Sequence, residues 1–259
     1  MSLRNALAHD IQKSSRFCPD QLARLNRDAI PEHIAIIPDG NRRWARQREA
    51  EDHKGHCEGA DILMEIVKAA LELNVKVVSF YAFSTENWTR PEDEIFGLMI
   101  LFSVYIASQR DEMVRCGIKF ETIGDPSRLP LFLREEIERT KEATNSCHHI
   151  RLVIALNYGA RDELCRAFKT MFRECNKGLL NPEGIDEQTI SRYLDTSGWK
   201  DPELLIRTSG EVRISNFLLW QISYTEIHIS PVLWPAFTAE HLLDAVLDYQ
   251  EKNRRWGGT

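Results

Sequence analysis

Residues 33–56 read HIAIIPDGNRRWARQREAEDHKGH, and the fold follows from how they divide. His33-Ile34-Ala35-Ile36-Ile37 is an unbroken apolar run stopped by Pro38, the pattern of a buried strand in an α/β domain. Asp39-Gly40-Asn41 makes a turn, and a helix carrying Arg42, Arg43, Trp44, Arg46 and Arg48 follows. A helix start exposes free N–H groups and a partial positive charge, both of which favour a bound phosphate. Gly40 lets the backbone approach such a ligand closely. Asp39 at the strand end offers an oxygen ligand to Mg2+, a hard cation that often bridges to substrate phosphates. The plainer alternative is a capped helix with a solvated basic face.

Outward from this stretch, helical spacing of apolar residues over 57–74 precedes a second strand at 75–82. Thr89 with Glu92 matches a capping box, and Pro91 suits the first turn of a helix running to about residue 115. The middle of that helix, IFGLMILFSVYIA, is apolar nearly all the way round. That suits a core helix, and equally one wall of an oily tunnel. Further strands are predicted at 118–123, 151–156, 204–206 and 224–229, with helices at 127–145, 160–176, 186–194 and 241–255. The alternation predicts one α/β domain over 32–259, with a central, mostly parallel sheet flanked by helices. Residues 1–31 are expected as a mobile or loosely packed N-terminal arm, and 49–55 as a mobile loop.

The chain has 259 residues, enough for one substantial domain. Its 43% hydrophobic and 28% charged content is that of a soluble globular protein. The net charge of -6 gives no general attraction to nucleic acid, so the arginines read as a local anion site on an acidic body. Six cysteines without a CxxC pair fit reduced thiols in the cytoplasm. His53, His56 and Cys57 lack the second ligand pair that a structural zinc requires. The N-terminus has no apolar signal region, and the apolar run at 95–107 is too short to span a bilayer.

Three polar groups follow predicted strands, at 39–43, 84–90 and 207–215. Ligands of open α/β sheets bind at the carboxyl ends of the strands. One composite site there would gather Arg43, Arg90, Arg207 and Arg213, which suits a ligand with more than one phosphate. Neither G-x-x-x-x-G-K-[ST] nor G-x-S-x-G occurs, which argues against a P-loop enzyme or an α/β hydrolase.

DGNRRWA with Gly55-His56 downstream, then FSTENWTRP, then RTSGEVRISNFLLWQ, resemble in the same order the motifs of the cis-prenyltransferases, the undecaprenyl diphosphate synthase family. The resemblance runs from about residue 33 to the C-terminus. It implies a homodimeric, Mg2+-dependent enzyme that adds isopentenyl diphosphate to an allylic diphosphate such as farnesyl diphosphate. The product would be a long polyprenyl diphosphate, undecaprenyl diphosphate for a cell-wall lipid carrier, grown in an apolar tunnel and handed to a membrane by a cytoplasmic protein. By the same resemblance Asp39 positions Mg2+, with Glu226 as a second carboxylate. Gly40, Asn41, Arg42, Arg43 and His56 cradle the allylic diphosphate, and Trp44 walls the site. Ser84, Thr85 and Glu86 lie against substrate, Asn87 near the transferred proton, Trp88 against the prenyl chain and Arg90 on a diphosphate. Arg207, Arg213, Ile214 and Ser215 match the isopentenyl diphosphate site. An amide is barely basic, so Asn87 is expected to orient substrate rather than take the proton. Asn157-Tyr158-Gly159 and Arg254-Arg255-Trp256-Gly257-Gly258 are further landmarks.

The chain departs from the family pattern at Arg42 and Ser209, where Gly is common, and at Asp52, where arginine is usual. Either Arg48 or Lys54 replaces that arginine, or the allylic diphosphate loses one contact. A non-catalytic binding subunit of the family would be expected to have lost Asp39 and the arginines, which are present here. The paired DDxxD motifs of the all-helical trans-prenyltransferases are absent.

Overall fold

The computed structural model describes residues 15–252. Strand β1 (His33–Ile37) lies inside a six-stranded sheet with β2 (Val77–Ser84), β3 (Ile118–Ile123), β4 (Ile150–Tyr158), β5 (Leu204–Arg207) and β6 (Glu226–Ile229). Their order is β3-β4-β2-β1-β5-β6, and every pairing is parallel. A central parallel strand is covered on both faces, which is why β1 reads as a continuous apolar run and is buried at all its positions. Its one polar residue, His33, is buried and spends both ring nitrogens. Nδ1 donates to the Lys200 carbonyl and Nε2 accepts from the Ser79 hydroxyl, each at 2.7 Å. Burial lowers the His33 pKa to about 4, so the ring is neutral near pH 7.

The crossovers are α1 (Pro19–Leu22) before β1, α2 (Asn41–Arg46) and α3 (Asp52–Glu72) after it, and α4 (Glu92–Cys116) after β2. Then come α5 (Leu131–Ala143), α6 (Ala160–Asn176), α7 (Glu187–Tyr193) and the closing α8 (Ala239–Glu251). The sheet separates two cores. Ile34, Ile36, Val78 and Phe80 pack under α3, α4 and α8, while Ala35, Ile37, Val153 and Leu205 pack under Phe217 and Leu218.

Three expectations shift. The charged stretch expected as a loop is largely helical, because α3 begins at Asp52, an acid in the first turn where the helix dipole favours it. No apolar residue marks that turn. It is packed through Gly55, where a Cβ would stand 2.1 Å from the Asn41 carbonyl oxygen. The capping box expected from Thr89 does not form: Pro91 is the N-cap of α4 without a side-chain bond, and the Thr89 hydroxyl turns back to the Glu86 carbonyl. The reciprocal box lies one turn earlier, between Ser84 and Asn87, on a 3-10 turn over Thr85–Thr89. Strand β2 starts at Val77 and reaches Ser84, later at both ends than predicted.

Of the stretch expected as an arm, residues 15–31 lie against the core. Phe17 is buried, and Gln250 of α8 exchanges hydrogen bonds with the Asn26 backbone. The landmark at 254–258 lies outside the described residues. All six cysteines are unpaired. Among the described residues no helix is long and apolar enough to cross a membrane.

Candidate active site

The polar groups singled out in the sequence converge at the carboxyl edge of the sheet. Ile37 pairs with Arg207 across β1 and β5, and Asp39 lies two residues beyond Ile37. That register brings Arg207 Nη2 to Asp39 Oδ2 at 2.7 Å. Arg207 is almost wholly buried, and its Nη1 also donates to the Ser215 hydroxyl at 2.9 Å and to the Arg213 carbonyl. Asp39 Oδ1 has Arg43 Nη2 at 4.0 Å. The Asp39 backbone is fixed in turn, its carbonyl accepting from the Thr208 hydroxyl at 2.7 Å and the Trp234 amide at 3.0 Å. Gly40 has φ 107 and packs so closely that a Cβ would stand 2.9 Å from Leu233, so this turn demands glycine.

From this edge a cavity of about 730 Å3 runs into the core on the α4 side of the sheet. Its mouth is polar, formed by Asp39 to Arg43, His56, Ser84, Glu86, Asn87, Arg90 and Ser215. Its depth is apolar, with Leu98, Phe102, Ile106 and Met113 of α4 facing Phe120 and Leu152 of the sheet. The all-round apolar pattern of α4 divides accordingly: Leu98, Phe102 and Ile106 face the void, while Phe96, Ile100 and Val104 are exposed.

Within the mouth, His56 is held neutral at neutral pH. Burial first, then Arg90 and Arg42, lower its pKa to about 4. Burial raises the Glu86 carboxyl, but hydrogen bonds from Asn216, its own backbone and Ser84 hold it below its ordinary value. Asn87 Oδ1 accepts from the Ser84 amide at 3.0 Å, which leaves its NH2 group to face a ligand. Thr85 lies against Gly159, where a Cβ would come 2.5 Å from its hydroxyl.

Other residues stand differently. Trp88 faces a separate shallow groove with Phe96 and Arg128. Its indole N–H donates to Asn157 at 2.7 Å and its ring lies under the Arg128 guanidinium. Trp44 is stacked by the Arg48 guanidinium, 4.1 Å from its ring centroid. Asp52 itself is gripped by Arg46 at 2.9 and 3.1 Å. The Arg213 guanidinium is exposed and paired with Glu211, which also takes Arg43 at 3.0 Å. Ile214 packs into the second core. Ser209 adopts φ 71, the left-handed backbone that explains a glycine preference there, and its hydroxyl accepts from Arg43.

Glu226 does not join Asp39. Ile34 pairs with Leu204 and Leu204 with Glu226, so Glu226 is level with Ile34 at the opposite end of the sheet. Five residues at about 3.3 Å each put it roughly 16 Å below Asp39 along the strands. Among the described residues no three His, Cys, Asp or Glu side chains cluster as a metal cage. An Mg2+ ion needs no such cage, since it commonly takes one carboxylate and completes its shell with phosphate oxygens and water. Asp39, part exposed at the mouth, fits that role.

Two polar residues were missed in the sequence, Asn216 in the mouth and Glu94 behind its arginines. Asn216, with φ 64, donates to Glu86 at 2.9 Å and accepts from the Arg161 amide at the start of α6. Glu94, in the first turn of α4, pairs with both Arg42 and Arg90. An acid in a first helical turn looks like an ordinary dipole partner, so no signal singled it out.

A family profile described as "Putative undecaprenyl diphosphate synthase" matches residues 37–257. The isoprenyl transferase of Bacillus anthracis is 47% identical over 229 residues, covering 88% of this chain and 89% of its own. That of Chlamydia trachomatis is 46% identical, covering 89% and 92%. Among solved structures, lavandulyl diphosphate synthase from Lavandula x intermedia, in complex with dimethylallyl diphosphate, superposes with a TM-score of 0.87 at 34% identity. It covers 89% of this chain and 100% of its own. A probable undecaprenyl diphosphate synthase from Campylobacter jejuni gives 0.74 at 31% identity, covering 88% and 99%. Sequence and fold are thus shared with proteins of one kind, and the chain belongs to the undecaprenyl diphosphate synthase, or isoprenyl transferase, family of cis-prenyltransferases.

Proposed function

We propose that this chain, as a homodimer, condenses isopentenyl diphosphate onto an allylic diphosphate, farnesyl diphosphate in the first instance. Repeated addition would yield a long polyprenyl diphosphate of about the undecaprenyl class, destined for a membrane as a cell-wall lipid carrier. The observation that carries this reading is the continuity of one cavity from an arginine-lined mouth to an apolar floor. A charged head and a growing hydrocarbon tail need those two environments in that order.

In this reading Gly40, Asn41, Arg42, Arg43 and Arg90 receive the allylic diphosphate beside the free N–H groups at the start of α2. The allylic C–O bond ionises as negative charge gathers on the departing diphosphate, where these fixed donors stabilise it. Arg207 and Ser215 face the second diphosphate, with Asn87 orienting the homoallylic substrate through its free NH2 group. The alkene attacks the allylic carbon, and a diphosphate oxygen takes the proton whose loss sets the new double bond. Asp39 would hold Mg2+, which neutralises diphosphate charge when bound.

Incubation with farnesyl diphosphate, labelled isopentenyl diphosphate and Mg2+ tests the reading. A ladder of labelled polyprenyl products that disappears in Asp39→Ala is expected. A folded protein that makes no product from any allylic primer would contradict it.

A further inference from the structure

One oxygen, Oε1 of Glu94, accepts from two arginines at the mouth of the cavity, Arg42 Nη2 and Arg90 Nη1, the latter at 3.1 Å. Arg42 belongs to α2, Arg90 precedes α4, and Glu94 sits in the first turn of α4. The carboxylate therefore ties the anion-binding turn to the helix that walls the apolar depth. Beside this tie, His56 Nε2, Arg42 Nε and Asn41 Oδ1 are buried without a hydrogen-bond partner. Arg42 Nε has only Asp52 at 3.8 Å. Two guanidiniums converging on one oxygen, with unspent donors at Arg42 Nε and His56 Nε2 beside them, is the arrangement by which proteins grip phosphate. Here the gripped oxygen is the protein's own.

We propose that Glu94 is an internal stand-in for a diphosphate, holding the Arg42–Arg90 clamp in the free protein and yielding it when ligand arrives. The inference rests on the reading that this mouth takes a diphosphate. A diphosphate brings more charge and more acceptor oxygens than one carboxylate, so it wins both arginines and sets Glu94 free. Release of Glu94 detaches the first turn of α4 from α2, so the wall of the apolar cavity senses whether the mouth is filled. The coupling is reciprocal: whatever keeps Glu94 on the clamp weakens the ligand, and ligand weakens the tie. Glu94 thereby acts on affinity through the arginines and has no contact with the reacting carbons.

Calorimetric titration of the full-length protein with inorganic diphosphate and Mg2+ tests this. Glu94→Gln is expected to bind roughly 3- to 10-fold more tightly than wild type, the worth of one displaced ion-pair hydrogen bond. Asp93→Asn is the control, because it also removes a first-turn charge but touches neither arginine, and its affinity should match wild type. Arg90→Gln should bind more weakly. Glu94→Ala, which removes the carboxylate altogether, should reproduce the gain of Glu94→Gln. Equal or weaker binding by both Glu94 variants, with melting curves showing them folded, would overturn the inference and make Glu94 a structural tie alone. Wild type and Arg90→Gln both failing to bind would instead sink the diphosphate reading, and the stand-in with it.

Discussion

Arg207 Nη2 and Asp39 Oδ2 meet at 2.7 Å across the ends of two neighbouring strands, the arginine side chain 4% exposed and the aspartate 31%. The buried member is the fixed one. It takes one carboxylate oxygen of Asp39, leaves the other to Arg43 at 4.0 Å, and holds the Ser215 and Arg213 segment by the same guanidinium.

Replacing Arg207 by Gln should therefore damage both halves of the site at once. Loss of a charged hydrogen-bonded pair predicts a fall in kcat/KM of roughly 30-fold or more. The thermodynamic cost, about 1–3 kcal/mol, is smaller than for a fully buried pair because water reaches Asp39. Steady-state kinetics and a urea unfolding curve read the two effects separately.

His33 makes stability depend on acid. Its pKa is about 4 when folded and rises to an ordinary 6.5 when the chain unfolds. Between those values the unfolded chain binds more protons, so stability falls as pH drops from about 6.5 towards about 4. The total amounts to roughly 3 kcal/mol, and it levels off below. His56 shifts the same way. Urea midpoints measured from pH 7 to pH 4.5 should show the decline, with a shallower slope in His33→Gln.

Gly59 carries the contact between α3 and α2. A Cβ there would stand 2.5 Å from Asn41 Oδ1 and 2.8 Å from the Trp234 ring. Gly59→Ala should force α3 off the anion-binding turn, at a cost of about 1–3 kcal/mol. Thermal melting should show the loss, and affinity for inorganic diphosphate should fall with it.

Asn157 holds Trp88 in place. Its Oδ1 accepts from the indole and its Nδ2 donates to the Asp125 carbonyl, both at 2.7 Å, while its backbone adopts φ 48. Asn157→Ala leaves the part-buried indole N–H and Asp125 carbonyl without this partner and should cost about 1–3 kcal/mol. A drop in melting temperature with a shift in tryptophan emission is the expected outcome.

These residues also show what a sequence reveals. The first strand, its turn and the arginine helix were legible because a central parallel strand is apolar throughout and a phosphate turn needs glycine. Arg207 was legible because it follows a predicted strand, and ligands of open α/β sheets gather at the carboxyl ends of strands. The start of α3 was not, because glycine packing replaces the usual apolar stripe at Gly55. Val75 extended the predicted second strand backwards, although it is buried as part of the loop before Val77. Glu226 was expected beside Asp39 by family resemblance alone; sequence order carries no register, and within this chain pairing with Leu204 puts it at the far end of the sheet. Glu94 and Asn216 were invisible because their roles exist only through side chains distant in sequence.

The central claim is that head and tail of one substrate occupy one cavity, and product length measures it directly. Ile106 of α4 is buried along the apolar depth. In Ile106→Phe, extended with farnesyl and isopentenyl diphosphates, the first addition should proceed near the wild-type rate while the final lipids become shorter. An unchanged length distribution from the folded variant would contradict growth of the chain into this cavity.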